Sequence, residues 1–363
     1  MKIVIFENVL THYRLKFYNY LVENYNIDII FMTPNVVNSD GFLTNYNNAK
    51  FEIVKIKKIN ILSFNIYVWP LKYLKPSNII VCVLSGSSFF NIFYSFLAKI
   101  RGTSFYWWGH SRNFALETKL QRIKDFFKLL SIVSSSGMLT YTENESKIIK
   151  SQLGFLTPKL ISLNNTVRTD EIFKLIKKNN LSSINELYAE NFCIGMVGRL
   201  HSRRFADLGI DSFINASKSN KNIRLIIIGA GEEYPRLKKK YFLNKNVIFT
   251  GTIEDENILT QYFKIFKFLI NPGLVGLNLI HAMSYGKFSL VTSRVDHSPE
   301  IHFLVNKFNG IITDPSEDQY TESIINLISD DKLRDELNLN SINTVKKELL
   351  IENMANNFLK IIK

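Results

Sequence analysis

Three arginines crowd one short loop of this sequence. "GRLHSRRFADL", residues 198–208, places Gly198, Arg199, Arg203 and Arg204 directly after an apolar run at 192–197. A second apolar run, 266–270, leads into "NPGLVGLNLIHAMSYG", residues 271–286. There Gly273 and Gly276 fall on an uncharged turn, Leu277 and Asn278 open a helix, and His281 lies in its apolar stretch. Guanidinium groups offer forked donors that match phosphate oxygens. A small-residue turn lets backbone N–H groups approach a ligand, and a helix N-terminus adds about half a positive charge. The chemistry implied is anion binding, and a diphosphate fits it. Gly229 and Gly231 follow the run 224–228, and Gly251 follows 247–250. Any one such glycine is an ordinary turn device. Their joint occurrence at consecutive strand ends is the signal.

What must position these loops is a series of strands alternating with helices, which means parallel sheets. Strand patterns run at 2–6, 27–32, 51–55, 79–84 and 104–108, with helical spacing at 13–25, 89–100, 120–133 and 143–153. A second series has strands at 192–197, 224–228, 247–250, 266–270, 288–292 and 310–313. Its helices fall at 208–217, 233–242, 256–263, 277–285 and 316–328. We expect a Rossmann-like domain at 1–176, a polar linker at 177–191, and a second Rossmann-like domain at 192–345. The stretch 346–363 is expected to form a helix packing back toward the first domain, with a cleft between the two. Parallel sheets bind ligands beyond the carboxyl ends of their strands, where all the loops above lie.

Composition narrows the partners. The chain has 363 residues, 46% of them hydrophobic, enough for two buried cores. Its formal charge of +13 suits phosphate-bearing substrates or an anionic membrane surface. The basic residues are scattered without interleaved aromatics, which argues against nucleic acid. Cys82 and Cys193 lie in apolar runs and read as small core residues of a reducing compartment. No secretory signal opens the chain, and the apolar stretch 78–100 is broken by Ser-Gly-Ser-Ser. Helix 119–133 reads as basic on one side and apolar on the other, buried with a solvated face or lying on a membrane. Trp107 and Trp108 read as core and rim packing before a sugar platform. The six histidines show no metal-ligand spacing with acidic or cysteine partners, and no Asp-x-Asp occurs, so no metal site is expected.

The second half resembles the retaining, GT-B-fold glycosyltransferases related to glycogen synthase, the group 1 glycosyltransferases. The resemblance rests on "GMVGRLHSRRFADLGIDSF", "IRLIIIGAGEEYPRL", "NVIFTGTIEDENILTQYF", "NPGLVGLNLIHAMSYGKFSLVTS" and "PEIHFLVNKFNGIITDP", in that order. It implies two Rossmann-like domains facing each other across a cleft. It also implies transfer from a nucleotide diphosphate sugar, of UDP or GDP type, to a hydroxyl, with no separate cofactor. Arg199 and Arg204 would stabilise the leaving diphosphate, alongside Gly198, Gly251, Gly273, Gly276, Leu277 and Asn278. His110, in "WWGHSRN", matches a region where a family histidine approaches the transferred sugar. Glu300, after Pro299, would cap a helix or touch the donor. The chain departs from the family at the two glutamates expected across the turn and helix, where Gly273 and His281 stand, and at Phe205, where glycine is usual. The expected setting is cytoplasmic, peripheral to the inner membrane leaflet, with a lipid-linked or surface glycan as acceptor. Two alternatives stay open: a nucleotide-sugar 2-epimerase, and a non-catalytic nucleotide-sugar-binding partner.

Overall fold

The computed structural model describes residues 1–34, 48–61, 64–84, 91–110, 119–178, 183–219, 222–293 and 297–362. The chain divides into two compact units, Met1–Arg168 with Ile351–Lys363, and Thr169–Leu350. The division falls ahead of the polar stretch 177–191, and the reason is apolar.

The first unit opens with β1 (Lys2–Phe6), whose side chains alternate between two cores. Ile3 and Ile5 join one cluster, Val4 and Phe6 the other, so the strand is covered on both faces. Then follow α1 (His12–Tyr25), β2 (Ile29–Thr33) and β3 (Glu52–Lys55). An antiparallel hairpin that the sequence reading missed comes next, β4 (Lys57–Ile61) with β5 (Phe64–Val68). The unit continues through β6 (Asn78–Leu84), α2 (Asn91–Ile100), β7 (Ser104–Gly109), α3 (Lys119–Val133), β8 (Gly137–Thr140), α4 (Glu143–Leu153) and β9 (Lys159–Ser162). The seven parallel strands are ordered β3-β2-β1-β6-β7-β8-β9.

The second unit begins with α5 (Thr169–Lys177), which buries Ile172, while Phe173 packs against the core beneath the Gly273 turn. These contacts carry the chain into the second unit before the polar stretch starts. The short helix α6 (Ser183–Leu187) lies inside that stretch. The elements then alternate: β10 (Phe192–Val197), α7 (Ala206–Ala216), β11 (Ile223–Ile228), α8 (Tyr234–Tyr241), β12 (Val247–Gly251), α9 (Glu256–Ile265). They end with β13 (Phe266–Asn271), α10 (Leu277–Ser284), β14 (Ser289–Thr292), β15 (Ile311–Thr313), α11 (Glu317–Ser329) and α12 (Asp331–Glu348). The six-stranded parallel sheet runs β12-β11-β10-β13-β14-β15. Its strand order reverses between β10 and β13, and the first sheet reverses in the same way between β1 and β6. Each is a doubly wound sheet with its crevice at that reversal.

The last helix, α13 (Ile351–Phe358), returns to the first unit. Ile351, Met354, Ala355 and Phe358 fall on one helical face and are buried in its core. Phe358 meets Phe17 and Trp108 with ring centroids 5.6 and 5.7 Å away. Both tryptophans read as packing are in the core, and both cysteines are free and buried. Burial pushes the Cys193 thiol up to about 11. Among the described residues, no helix is long and apolar enough to cross a membrane.

Candidate functional site

The loops singled out in the sequence meet at the β10/β13 reversal. After β10, the backbone runs so close to the next loop that glycine is required there. A β-carbon on Gly229, whose φ is 139°, would lie 2.1 Å from the Gly198 carbonyl oxygen. The two loops are zipped together: Gly198 N–H donates to Ile228 O at 2.9 Å, and Leu200 N–H to Ala230 O at 2.9 Å. Gly229 N–H in turn donates to Gly251 O at 2.8 Å, tying in the end of β12.

The turn after β13 is held by side chains rather than by a tight hydrogen-bonded ladder. Asn278 Oδ1 accepts from Gly276 N–H at 3.0 Å, and its Nδ2 donates to Asn271 Oδ1 at 3.1 Å. Asn271 Nδ2 donates to Ser289 Oγ at 3.1 Å, and Thr292 Oγ1 donates to Pro272 O at 2.5 Å. Buried His297 accepts from Val275 N–H at 3.3 Å and donates to Thr292 O at 2.7 Å. Five side chains thus fix the start of α10, where Leu279 N–H donates to Gly276 O at 2.9 Å and the N–H groups of Leu277 and Asn278 precede the helix's own ladder. Glu300 is also buried here: a β-carbon at Gly276 would lie 3.8 Å from its Oε2.

The three loop arginines divide. Arg199 and Arg203 are exposed. Arg204 turns inward, donating to Leu274 O at 2.8 Å and Val197 O at 2.7 Å. Burial lowers its guanidinium to about 10. Its geometry is that of a clamp between the β10 loop and the β13 turn, which differs from the diphosphate contact expected of it. The left-handed backbone at Phe205, φ 49°, follows this inward turn and is the conformation glycine adopts most cheaply. The β13 turn presses against the same loop, with Leu274 N–H donating to Arg203 O at 2.9 Å. A β-carbon at Gly273 would lie 2.3 Å from that oxygen, so no side chain fits there.

His281 sits in the second turn of α10, with Nε2 at 2.6 Å from Glu256 Oε1 on the first turn of α9. Tyr285 donates to the same oxygen at 2.9 Å and lies 2.9 Å from Thr260 Oγ1. The ring of Phe263 stacks on Tyr285 at 4.2 Å and meets His281 edge-on at 5.2 Å. Burial first, and then the Glu256 charge, push the Tyr285 phenol well above its ordinary range. With the Nε2 proton given to Glu256, an uncharged imidazole keeps its acceptor on Nδ1.

At the strand ends of the first unit, His110 follows β7 directly. Its Nδ1 lies 2.7 Å from Glu145 Oε1, and its ring packs on Tyr141 at 4.4 Å. Glu145 Oε2 accepts from Tyr141 N–H at 3.0 Å. Beneath them Arg14 is buried, its guanidinium 3.3 Å from the Trp108 ring centroid and 3.1 Å from Tyr141 Oη. Glu7, at the end of β1, accepts from Tyr18 Oη at 2.5 Å and faces Arg14 at 3.6 Å. Burial raises its carboxyl, against the pull of Arg14 and Tyr18.

The sequence reading missed Glu145, Arg14, Glu256 and His297. Glu145 had a readable signal: Thr142-x-x-Glu145 is the capping box that starts α4, and Thr142 accepts from Glu145 N–H at 3.4 Å. Glu256 and His297 had none, because their partners are distant in sequence. Among the described residues, no three His, Cys, Asp or Glu side chains cluster as a metal ion requires.

Two doubly wound α/β units in one chain define the GT-B fold. Solved structures with that fold match the chain over its whole length. HepE of Anabaena, solved with UDP, matches 100% of this chain and 99% of its own at TM-score 0.72 and 15% identity. A mutant of S. aureus TarM, solved with Fondaparinux, alpha-GlcNAc-glycerol and UDP, matches 100% of both chains at TM-score 0.67 and 12% identity. Sucrose-phosphate synthase from Thermosynechococcus elongatus matches 100% of this chain and 98% of its own at TM-score 0.69 and 13% identity. At such identities the likeness is one of fold. More specifically, residues 177–344, which lie in the second unit, match the family model Glycosyl transferases group 1. Among curated proteins, none matches the chain.

Proposed function

We propose that the protein moves a sugar from a nucleoside diphosphate sugar to a hydroxyl of a growing surface polysaccharide or lipid-linked glycan, with retention at the anomeric carbon. The observation that carries this reading is the pinned start of α10. Its turn is fixed by five side chains, free of any side chain at Gly273, and apposed to a loop bearing exposed arginines. An anion placed there meets the helix N-terminus without reorganising the turn. UDP as the leaving group is supported by its presence in the HepE and TarM structures.

In the reaction the bond from the anomeric carbon to the diphosphate breaks while the acceptor oxygen bonds to that carbon on the same face. The acceptor proton passes to the leaving phosphate oxygen. The charge that develops on the diphosphate is met by Arg199 and the N–H groups of Leu277 and Asn278, while Arg204 holds the turn in place. The Glu256–His281 pair receives the ribose hydroxyls, and His110, oriented by Glu145, meets the transferred sugar. No metal ion takes part, and activity survives a chelator. The work takes place in the cytoplasm at an anionic membrane surface.

A panel of nucleotide sugars read by thermal shift tests the donor: a UDP-sugar should raise the melting temperature, because only the folded state binds it. Nuclear magnetic resonance of the product should give the donor's own anomeric configuration. An inverted product would overturn retention, and no stabilisation by any nucleotide sugar would overturn the reading itself.

A further inference from the structure

We propose that an exposed apolar face of the first unit, formed by α2 and the segment after β5, docks on an anionic lipid bilayer. This deepens the membrane-surface part of the proposed function and rests on it. Helix α2 buries Asn91, Ser95 and Ala98 and turns the opposite face outward. On that face Phe93, Phe96 and Ile100, at helical spacing, are 63%, 46% and 83% exposed. Burying such side chains is strongly favourable, so leaving three of them together on a helix in water is unusual.

The face continues beyond the helix. Tyr94 stacks on Trp69 at 4.6 Å and donates to Tyr67 O at 2.9 Å, which brings exposed Val68 alongside. Arg101 donates to Leu71 O at 3.3 Å, placing exposed Leu71 beside Ile100. On the other flank Ser95 Oγ lies 2.9 Å from Ser134 Oγ, at the end of α3, a helix that exposes Phe126 and Leu130. Lys128 of α3 is buried, so what α3 shows to solvent between Asp125 and Val133 is more apolar than its sequence implies.

Charge selects the occupant. Residues 53–116 contain no aspartate or glutamate and eight lysines and arginines. Lys99 and Arg101 flank Ile100, exposed Lys72 follows Leu71, and exposed Lys57 pairs with Val68 across the hairpin. Aromatic and aliphatic side chains rimmed mainly by long cations, with Asp125 of α3 facing Lys128 at 3.6 Å, match a lipid interface, where the rings enter the headgroup layer and the cations meet lipid phosphates. A protein partner or a second copy would need an acidic rim to answer this one.

Sedimentation of the purified chain with vesicles tests it, without donor or turnover. Phosphatidylglycerol/phosphatidylcholine vesicles should carry the protein down, and phosphatidylcholine alone much less. Phe93→Ser with Ile100→Ser should weaken the partition at least about tenfold. Lys99→Glu with Arg101→Glu should do likewise. Lys238→Glu with Lys239→Glu on α8 changes the net charge by the same amount and should shift binding less than about threefold. Circular dichroism confirms that each variant folds. If the α8 variant loses as much as the α2 variants, attraction is global and this face is not the dock. If the parent ignores anionic vesicles, the membrane reading fails with it, leaving the transfer reaction untouched. If the serine variant converts a dimer to a monomer without lipid, the face belongs to a second copy and the proposal falls.

Discussion

Replacing His281 by alanine removes a side chain that ties α10 to α9, and the loss can be worked from its contacts. The Nε2 bond to Glu256 at 2.6 Å has an ionised partner, and the two side chains are 17% and 18% exposed. A charge-assisted bond with that little solvent is worth about 1.5–3 kcal/mol. The ring also meets Phe263 and Tyr285 edge-on at 5.2 and 5.3 Å, adding about 0.5–1.5 kcal/mol. His281→Ala should therefore cost about 2–4 kcal/mol locally. A chain of two units need not unfold in one step, so the readout is hydrogen exchange. Amides in the first turn of α9 and along α10 should lose protection by at least about 30-fold, the equivalent of about 2 kcal/mol. Amides of β1 and β6 in the other unit should not change.

The same variant reports on function. With Glu256 no longer oriented and the Nδ1 acceptor gone, UDP affinity measured by calorimetry should fall by about 1–2 kcal/mol, the scale of one lost hydrogen bond to a polar partner. His281→Gln, which can still donate toward Glu256, should recover part of both losses. Glu256→Gln keeps a neutral acceptor for His281 and Tyr285 and should be milder. Combined with His281→Ala it should show coupling of about 1–2 kcal/mol in a double-mutant cycle. Unchanged exchange in α9 and unchanged UDP affinity in His281→Ala would refute the reasoning on both counts.

Three more expectations follow from the geometry. Arg204→Ala orphans the Val197 and Leu274 carbonyls and should destabilise the second unit by about 2–4 kcal/mol, seen as lost exchange protection around Leu274. Arg204→Lys, lacking the fork, should fall between. Gly229→Ala drives a methyl into the Gly198 carbonyl at a positive φ and should cost at least about 3 kcal/mol by denaturant titration; a stable, UDP-binding variant would contradict the close approach. Asp207 is held well below the usual carboxylate range: partial burial opposes ionisation, but hydrogen bonds from Arg236, Lys240 and Tyr241 outweigh it. A depressed folded value stabilises above the unfolded value, about 4, and that stabilisation is lost as pH falls through the folded one. Asp207→Asn should thus cost about 1 kcal/mol at neutral pH, discounted for exposure, and the gap to the parent should narrow below about pH 4.

The strands and their loops were legible because buried parallel strands are short apolar runs, and glycine marks where neighbouring loops touch. The hairpin β4–β5 was not, since its exposed Lys57, Lys58 and Ile59 break any apolar period. Nor could sequence say which of Arg203 and Arg204 faces water. That is decided by tertiary contacts, the Val197 and Leu274 carbonyls to which Arg204 donates. The two missing glutamates look in the sequence like a loss of acidic groups, and the packing gives them another meaning. At position 273 the neighbouring backbone occupies the side-chain space, so a glutamate there would require the arginine loop to move. Yet the carboxylate of Glu300 lies beside Gly276, three residues along the same turn, and that of Glu256 is bonded to His281. Acidic groups are thus brought to the start of α10 from other elements: Glu300 from the segment after β14, beside Gly276, and Glu256 from α9, bonded to His281. A search for paired glutamates at fixed spacing reads only one helix and its turn. The carboxylates around α10 are supplied here by tertiary contacts that no linear spacing records.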